Sequence, residues 1–180
     1  MGPETVLKFW FEECSPQDWW KKSREFDERL GKRFGKLHEQ AAKGELSSWR
    51  EDCPGRLAEI IVLDQFSRNL YRGEARAFAQ DGMALVLAQE AVSGGCDRQL
   101  ADNQQRVFLY MPYMHSESPA VHKIAEALYR KLGEQSNLDF ELRHKAIIDR
   151  FGRYPHRNES LGRESTEEER DFLQQPGSGF

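Results

Sequence analysis

No stretch of this 180-residue chain is apolar for more than a few residues, far short of the roughly 20 that an apolar helix needs to cross a bilayer. The opening Met1-Gly2-Pro3-Glu4-Thr5 also lacks a basic segment followed by an apolar one, so neither a membrane span nor an export segment is expected. Cysteine is scarce. Cys14, Cys53 and Cys96 are odd in number, widely spaced and in no Cys-x-x-Cys pair, which supports neither a disulfide framework nor a thiolate zinc site and suits a reducing cytoplasm. Nucleophile and phosphate-loop signatures are missing too: there is no Gly-x-Ser-x-Gly, no Walker loop and no Gly-x-Gly-x-x-Gly, and no cysteine has the helix-start or histidine context that activates a thiol. Any chemistry would be acid–base work, and no cofactor class is indicated.

What is present is a polar-surfaced globule. Charged residues make up 31% and apolar residues 38%, with eleven Phe and four Trp to supply large buried areas, which excludes a disordered chain. A chain of roughly 150 residues already buries about two-thirds of its unfolded surface, so residues 1–175 are expected to form one all-α domain, with 176–180 a frayed tail. The formal net charge of -4 argues against broad nucleic-acid or anionic-membrane binding while leaving room for a local basic pocket.

Helix signals run the length of the chain. An aromatic helix is expected over 4–13, and Ser15-Pro16-Gln17-Asp18 offers a cap, a first-turn proline and an acidic third position. A helix over 24–43 carries Phe26, Leu30, Phe34 and Leu37 at helical spacing, weakened by Gly31 and Gly35 and stopped by Gly44. Residues 54–69 read as a buried helix whose apolar stripe ends in Asp64 and Arg68, four residues apart, placing a charged pair at the edge of the core. Further helices are expected over 77–93, ended by Gly94-Gly95, and over 103–114, which Pro112 should bend or end. Ser118-Pro119 restarts the chain as a helix closed by Gly133, leaving His115-Ser116-Glu117 in an elbow. Asn137 is read as the cap of a helix reaching Gly152, with His144 inside its apolar stripe, and Ser165-Thr166-Glu167-Glu168 as a capping box for a last helix. With no strand-period segment, eight or nine helices should pack as successive antiparallel pairs. The lengths over 119–133 and 137–152 are those of a tetratricopeptide-like hairpin, though that repeat's Trp, Leu-Gly and Tyr pattern is missing.

The densest polar stretch is Arg150-Phe-Gly-Arg153-Tyr-Pro-His156-Arg157-Asn158-Glu-Ser-Leu-Gly-Arg163, which Gly152, Pro155 and Gly162 mark as a surface loop. Together with Leu63-Asp64-Gln65-Phe66-Ser67-Arg68-Asn69-Leu70-Tyr71-Arg72-Gly73 and Phe108-Leu-Tyr-Met-Pro112-Tyr-Met-His115-Ser116-Glu117, it resembles the bacterial domain of unknown function 924 family over most of the chain. The resemblance implies a tetratricopeptide-like all-α fold and no established activity. Ser67 stands where that family is expected to have proline, a departure confined to a helix end.

Convergence of these stretches at one end of a bundle would gather Asp64, Arg68, Asn69, Arg72, Arg153, Arg157 and Asn158 as ligand-binding groups, with His115, Glu117 and His156 available for proton transfer. Two readings of that set remain open. Asp64 and Glu117 could neutralise Arg68, Arg153 or Arg157 and fasten the loop to the bundle, or the excess of six arginines over two carboxylates could hold a phosphate, nucleotide or carboxylate. A non-enzymatic scaffold binding a protein or peptide is the competing function, resting on architecture alone. The sequence offers no second close ligand pair for a metal, so none is expected. His144 is read as a satisfied core histidine, and Phe9-Trp10-Phe11 and Trp19-Trp20 as core rather than a base-stacking platform.

Overall fold

Proline and hydroxyl or carboxyl side chains at helix starts, and glycine at helix ends, set most of the boundaries in a computed structural model of the chain, which describes residues 1–179. Those residues hold eleven α-helices linked by 3-10 and π turns, and no strand. The protein is all-α. Two compact units divide the chain, the first comprising residues 1–72 and 76–112, the second 73–75 and the residues from 113 onward.

In the first unit, α1 (Pro3–Lys8) runs into a π turn, Phe9–Glu13, where a single helix is expected from the sequence. α2 (Pro16–Trp20) carries the Ser15/Asp18 capping box, and α3 (Arg24–Ala42) runs unbroken through Gly31 and Gly35 with Ser23 accepting from the Phe26 amide. The helix expected over 54–69 begins one residue earlier and has three parts: α4 (Cys53–Ile61), a π turn Val62–Phe66, and α5 (Ser67–Leu70). Its start moves because Asp52 caps the Gly55 amide at 2.7 Å, and Gly55 is required there, since a Cβ would overlap the Trp49 carbonyl oxygen. α6 (Asp81–Ser93) starts later than expected, after a 3-10 turn at Ala75–Phe78, and is followed by α7 (Cys96–Gln99) and α8 (Asn103–Met114), which continues through Pro112 for two residues.

The core of this unit is aromatic. Phe9 meets Phe34 at 4.8 Å between ring centroids, Trp10 meets Phe66 at 5.6 Å and Phe108 at 5.5 Å, and all five are buried. Offset and edge contacts of this kind add about 0.5–1.5 kcal/mol each to the area they bury. Trp20 departs from expectation. It is 58% exposed, lying stacked over Phe108 at the rim of the cluster rather than inside it.

Cys53 and Cys96 form a disulfide, with Cα atoms 5.2 Å apart, which corrects the reading of three unpaired cysteines. Wide spacing in sequence misled because α4 and α6–α7 pack side by side, and a bridge needs only Cα atoms within about 4.4–6.8 Å. The bridge also removes the cysteine argument for a reducing compartment. Both residues open a helix, again against expectation. Cys14 stays free and buried, and burial pushes its thiol up to about 12. No helix among the described residues is long and apolar enough to cross a membrane.

The second unit is built on α9 (Pro119–Leu132) and α10 (Gln135–Phe151), a packed pair joined at Gly133 with φ +81°. α10 starts two residues before Asn137, with Glu134 as N-cap, so Asn137 lies inside the first turn. A 3-10 turn, Pro155–Arg157, and α11 (Glu167–Leu173) complete it around Ile147, Ile148 and Tyr154, with Phe151 and Phe172 packed against them. The capping box of α11 is Thr166 with Glu169, one residue beyond the expected pair. Ser165 is diverted, its Oγ accepting from Asn158 Nδ2 at 3.0 Å. Ser178 closes a turn on Leu173 and Gln175, and Phe180, the last residue of the expected tail, lies outside the described residues.

Candidate functional site

In the first unit the Asp64/Arg68 pair sits where the helical stripe places it. Asp64 is buried, its Oδ1 3.2 Å from Arg68 Nη1 and its Oδ2 accepting from Gln65 Nε2 at 2.6 Å. The guanidinium also grips both carboxylate oxygens of Asp81, at 2.8 and 3.0 Å. Asn69 and Arg72 reach Asp27 on α3, Asn69 by one bond of 2.8 Å and Arg72 by two of 2.8 and 2.9 Å. Asp27 and Asp81 therefore supply carboxylates that the sequence reading left out of its charge balance.

The second unit holds His115, Glu117, Arg153, His156, Arg157 and Asn158. Glu117, in the elbow before α9, takes Arg163 in two bonds of 2.7 and 2.9 Å and the Tyr154 amide at 2.7 Å. Burial opposes its charged form, yet the Arg163 guanidinium, the Tyr154 amide and the charge of Arg157 outweigh it and hold the carboxyl below its ordinary value. Arg153 pairs with Glu169 by bonds of 2.7 and 2.8 Å, and Arg150 with Glu168 at 2.8 Å. Asn158 is buried between Arg163, Ser165 and Glu169. Arg157 is buried with its guanidinium 4.5 Å from the centre of the Tyr154 ring and donates to the His115 carbonyl at 3.0 Å. The arginine loop is thus tied down by Glu117, Glu168 and Glu169. The second and third of these, sitting on α11, are what the expected excess of positive charge overlooked.

Glu169 makes this clasp sensitive to acid. Its bonds from Arg153, then from the Thr166 amide and Asn158, outweigh burial and hold its carboxyl at about 2, against 4.5 unperturbed. A carboxyl lowered on folding contributes stability that is complete above the unfolded value and lost as pH falls through the folded one. Protection factors of the α11 amides should therefore stay high at pH 6 and fall between about pH 4.5 and 2, and Glu169→Gln should flatten that dependence. A profile unchanged by the substitution would show that the clasp does not depend on this charge.

A third group was not anticipated. His122 on α9 and Glu141 on α10 are fully buried and meet at 2.8 Å through Nδ1 and Oε1. His122 Nε2 lies 2.8 Å from the Ser116 carbonyl and 3.1 Å from the Tyr154 hydroxyl, which itself donates to the Met114 carbonyl at 2.6 Å. Since a carbonyl only accepts, Nε2 carries a hydrogen, and one further proton is shared between Nδ1 and Glu141. The dyad is neutral overall. Burial pushes the Glu141 carboxyl up despite the hydrogen bond and charge of His122. His144 is, as expected, a satisfied core histidine: Nδ1 bonds the Phe140 carbonyl at 2.8 Å, and burial with the nearby charges of His115, His122 and His156 drives its pKa down to about 3. The signal for Glu141 was present in the sequence, as a carboxylate on the same stripe as Leu138, His144 and Ile148. Among the described residues no cluster of three or more His, Cys, Asp or Glu is placed to hold a metal ion.

The fold and these three polar groups define an all-α helical protein. A family model described as bacterial protein of unknown function (DUF924) matches residues 6–177, and the chain belongs to that family. A solved structure of a protein of unknown function from Agrobacterium tumefaciens is similar at 38% identity, covering 96% of each chain with a TM-score of 0.90. No curated protein matches.

Proposed function

We propose that the second unit binds a small anionic ligand, a phosphate, nucleotide or carboxylate, against His115, His156 and Arg157, with the two histidines able to move protons. One observation carries the reading: a single aromatic ring, Tyr154, gathers His156 at 5.5 Å, His144 at 5.7 Å and the Arg157 guanidinium at 4.5 Å. His115 bears on the same cluster through its charge on His144, and both His115 and His156 remain partly exposed. Arg153, Glu117 and Asn158 shape the loop through their ion pairs and hydrogen bonds, and Asp64, Arg68, Asn69 and Arg72 do the same in the first unit. A cluster of imidazole and guanidinium groups suits anions because several donors can bind one acceptor group.

Thermal shifts with inorganic phosphate, nucleotides and dicarboxylates test this. A ligand at about 100 times its dissociation constant adds roughly 2.7 kcal/mol, which a melt resolves easily. The expected result is stabilisation by at least one of these anions, reduced in a folded His156→Gln variant. No shift across the panel would remove the reading. It would turn attention to a helical scaffold for a protein or peptide, which the half-exposed Ile124 and Phe140 on α9 and α10 favour.

A further inference from the structure

The Cys53–Cys96 bridge belongs to no part of that site, and its surroundings differ from those of a disulfide sealed in a core. Cys53 is only half-buried, whereas Cys96 is 4% exposed. A cleft of about 620 Å³ opens on the pair and is lined, besides both cysteines, by Asp52, Arg56, Glu90 and Ser93. Both cysteines line the cleft, and Cys53 is the more exposed end of the bridge.

Both ends are held by backbone that does not depend on the bond. Asp52 caps α4 at the Gly55 amide, and Gly55 packs directly on the Trp49 carbonyl, which fixes Cys53 at the first position of the helix. Cys96 follows Gly95, whose φ of +80° ends the turn after α6, and α7 is closed by the Leu100 amide bonding the Cys96 carbonyl at 3.0 Å. The Arg98 guanidinium folds back against Gly95. Two cysteines placed in this way can open and re-form a bridge without rebuilding either helix.

We propose that Cys53–Cys96 is a thiol–disulfide exchange site whose reaction partner is a dithiol reductant, with Cys53 the sulfur attacked. A thiolate of the dithiol forms a bond to Cys53 Sγ, the Cys53–Cys96 bond breaks, and Cys96 leaves as a thiolate and takes up a proton. The second thiol of the reductant then attacks its own mixed-disulfide sulfur and Cys53 departs. The chain gains two electrons and two protons, and the reductant becomes a disulfide. A dithiol rather than glutathione is specified because the second step is intramolecular for a dithiol. Glu51, Asp52 and Glu90 against Arg56 also give the cleft an acidic rim that disfavours an anionic monothiol. Cys14, buried with its thiol pushed up, stays out of the exchange.

The full chain tests this through its thiols. Under native conditions, dithiothreitol should raise the titratable thiols from one to three on complete unfolding of a quenched sample, and re-oxidation should restore one. Glutathione at equal thiol concentration should act several-fold more slowly. In the single variants, the remaining Cys53 of Cys96→Ser should react with a disulfide probe about tenfold or more faster than the remaining Cys96 of Cys53→Ser, since exchange follows access and thiolate fraction. Melting of the Cys53→Ser/Cys96→Ser double variant serves as the fully reduced reference, and the reduced native chain should match it. Resistance of the native bridge to dithiothreitol would make it purely structural. Equal reactivity of the two cysteines, equal rates with glutathione, or three thiols in the chain after mild oxidation would each overturn the proposal.

Discussion

Replacing Arg68 with alanine is expected to destabilise the protein by about 3–5 kcal/mol, the cost of stranding a buried charge by removing its partner. Asp64 is 1% exposed and Asp81 19%, and Arg68 serves both as well as the Asp64 carbonyl at 3.0 Å. The substitution leaves two carboxylates facing one another with their shared cation gone. Asp64→Ala should cost a similar amount, because it removes the buried carboxylate that both Arg68 and Gln65 bind, whereas Asp81→Asn, which keeps a hydrogen-bond acceptor at the more exposed position, should cost less. Chemical denaturation followed by tryptophan fluorescence measures all three. A loss for Arg68→Ala near the 0.3–0.5 kcal/mol typical of exposed helix pairs would mean that water screens the cluster.

This pair was legible in the sequence because the evidence for it is local: four residues along a stripe that is otherwise apolar put Asp64 and Arg68 on one face. Asp81 was not, since it lies 13 residues ahead and its approach depends on where α6 begins, which a 3-10 turn delays beyond the periodic signal. The same division runs through the rest of the fold. Helix caps and glycine stops read correctly at Ser15, Ser118, Gly133 and Gly152 because they act within a turn. The π turns were invisible, as an extra residue in one turn shifts phase without changing composition. Glu117 was expected to answer the arginine loop, but its partner is Arg163, 46 residues away, and Arg153 is met by Glu169 on α11, 16 residues on, distances over which spacing does not choose the partner. Ser67 shows the limit from the other side. Its Oγ donates to the Leu63 carbonyl and so accepts from His38 Nε2 at 2.7 Å, tying α5 to α3 by a bond that a proline could not make and that no local pattern announces.

Removing Glu141 is the second substitution expected to be severe. Glu141→Ala leaves His122 fully buried with its Nδ1 facing a void where the shared proton was held, and takes away the link from α10 to the elbow that His122 relays through the Ser116 carbonyl and the Tyr154 hydroxyl. The expected loss is again about 3–5 kcal/mol, and His122→Ala should match it, since it strands a carboxyl whose Oε2 already has no hydrogen-bond partner. Because the dyad is neutral overall and both side chains are fully buried, its worth lies in mutual satisfaction rather than in net charge. A double replacement with apolar side chains of similar volume, His122→Phe with Glu141→Leu, should therefore recover most of what either single loss costs. Denaturant midpoints of the wild type, His122→Phe, Glu141→Leu and the double variant that combines them decide the matter. If the double variant were as unstable as the sum of the singles, the bond between the two side chains would contribute nothing, and the pairing of α9 with α10 would have to rest on their apolar contacts alone.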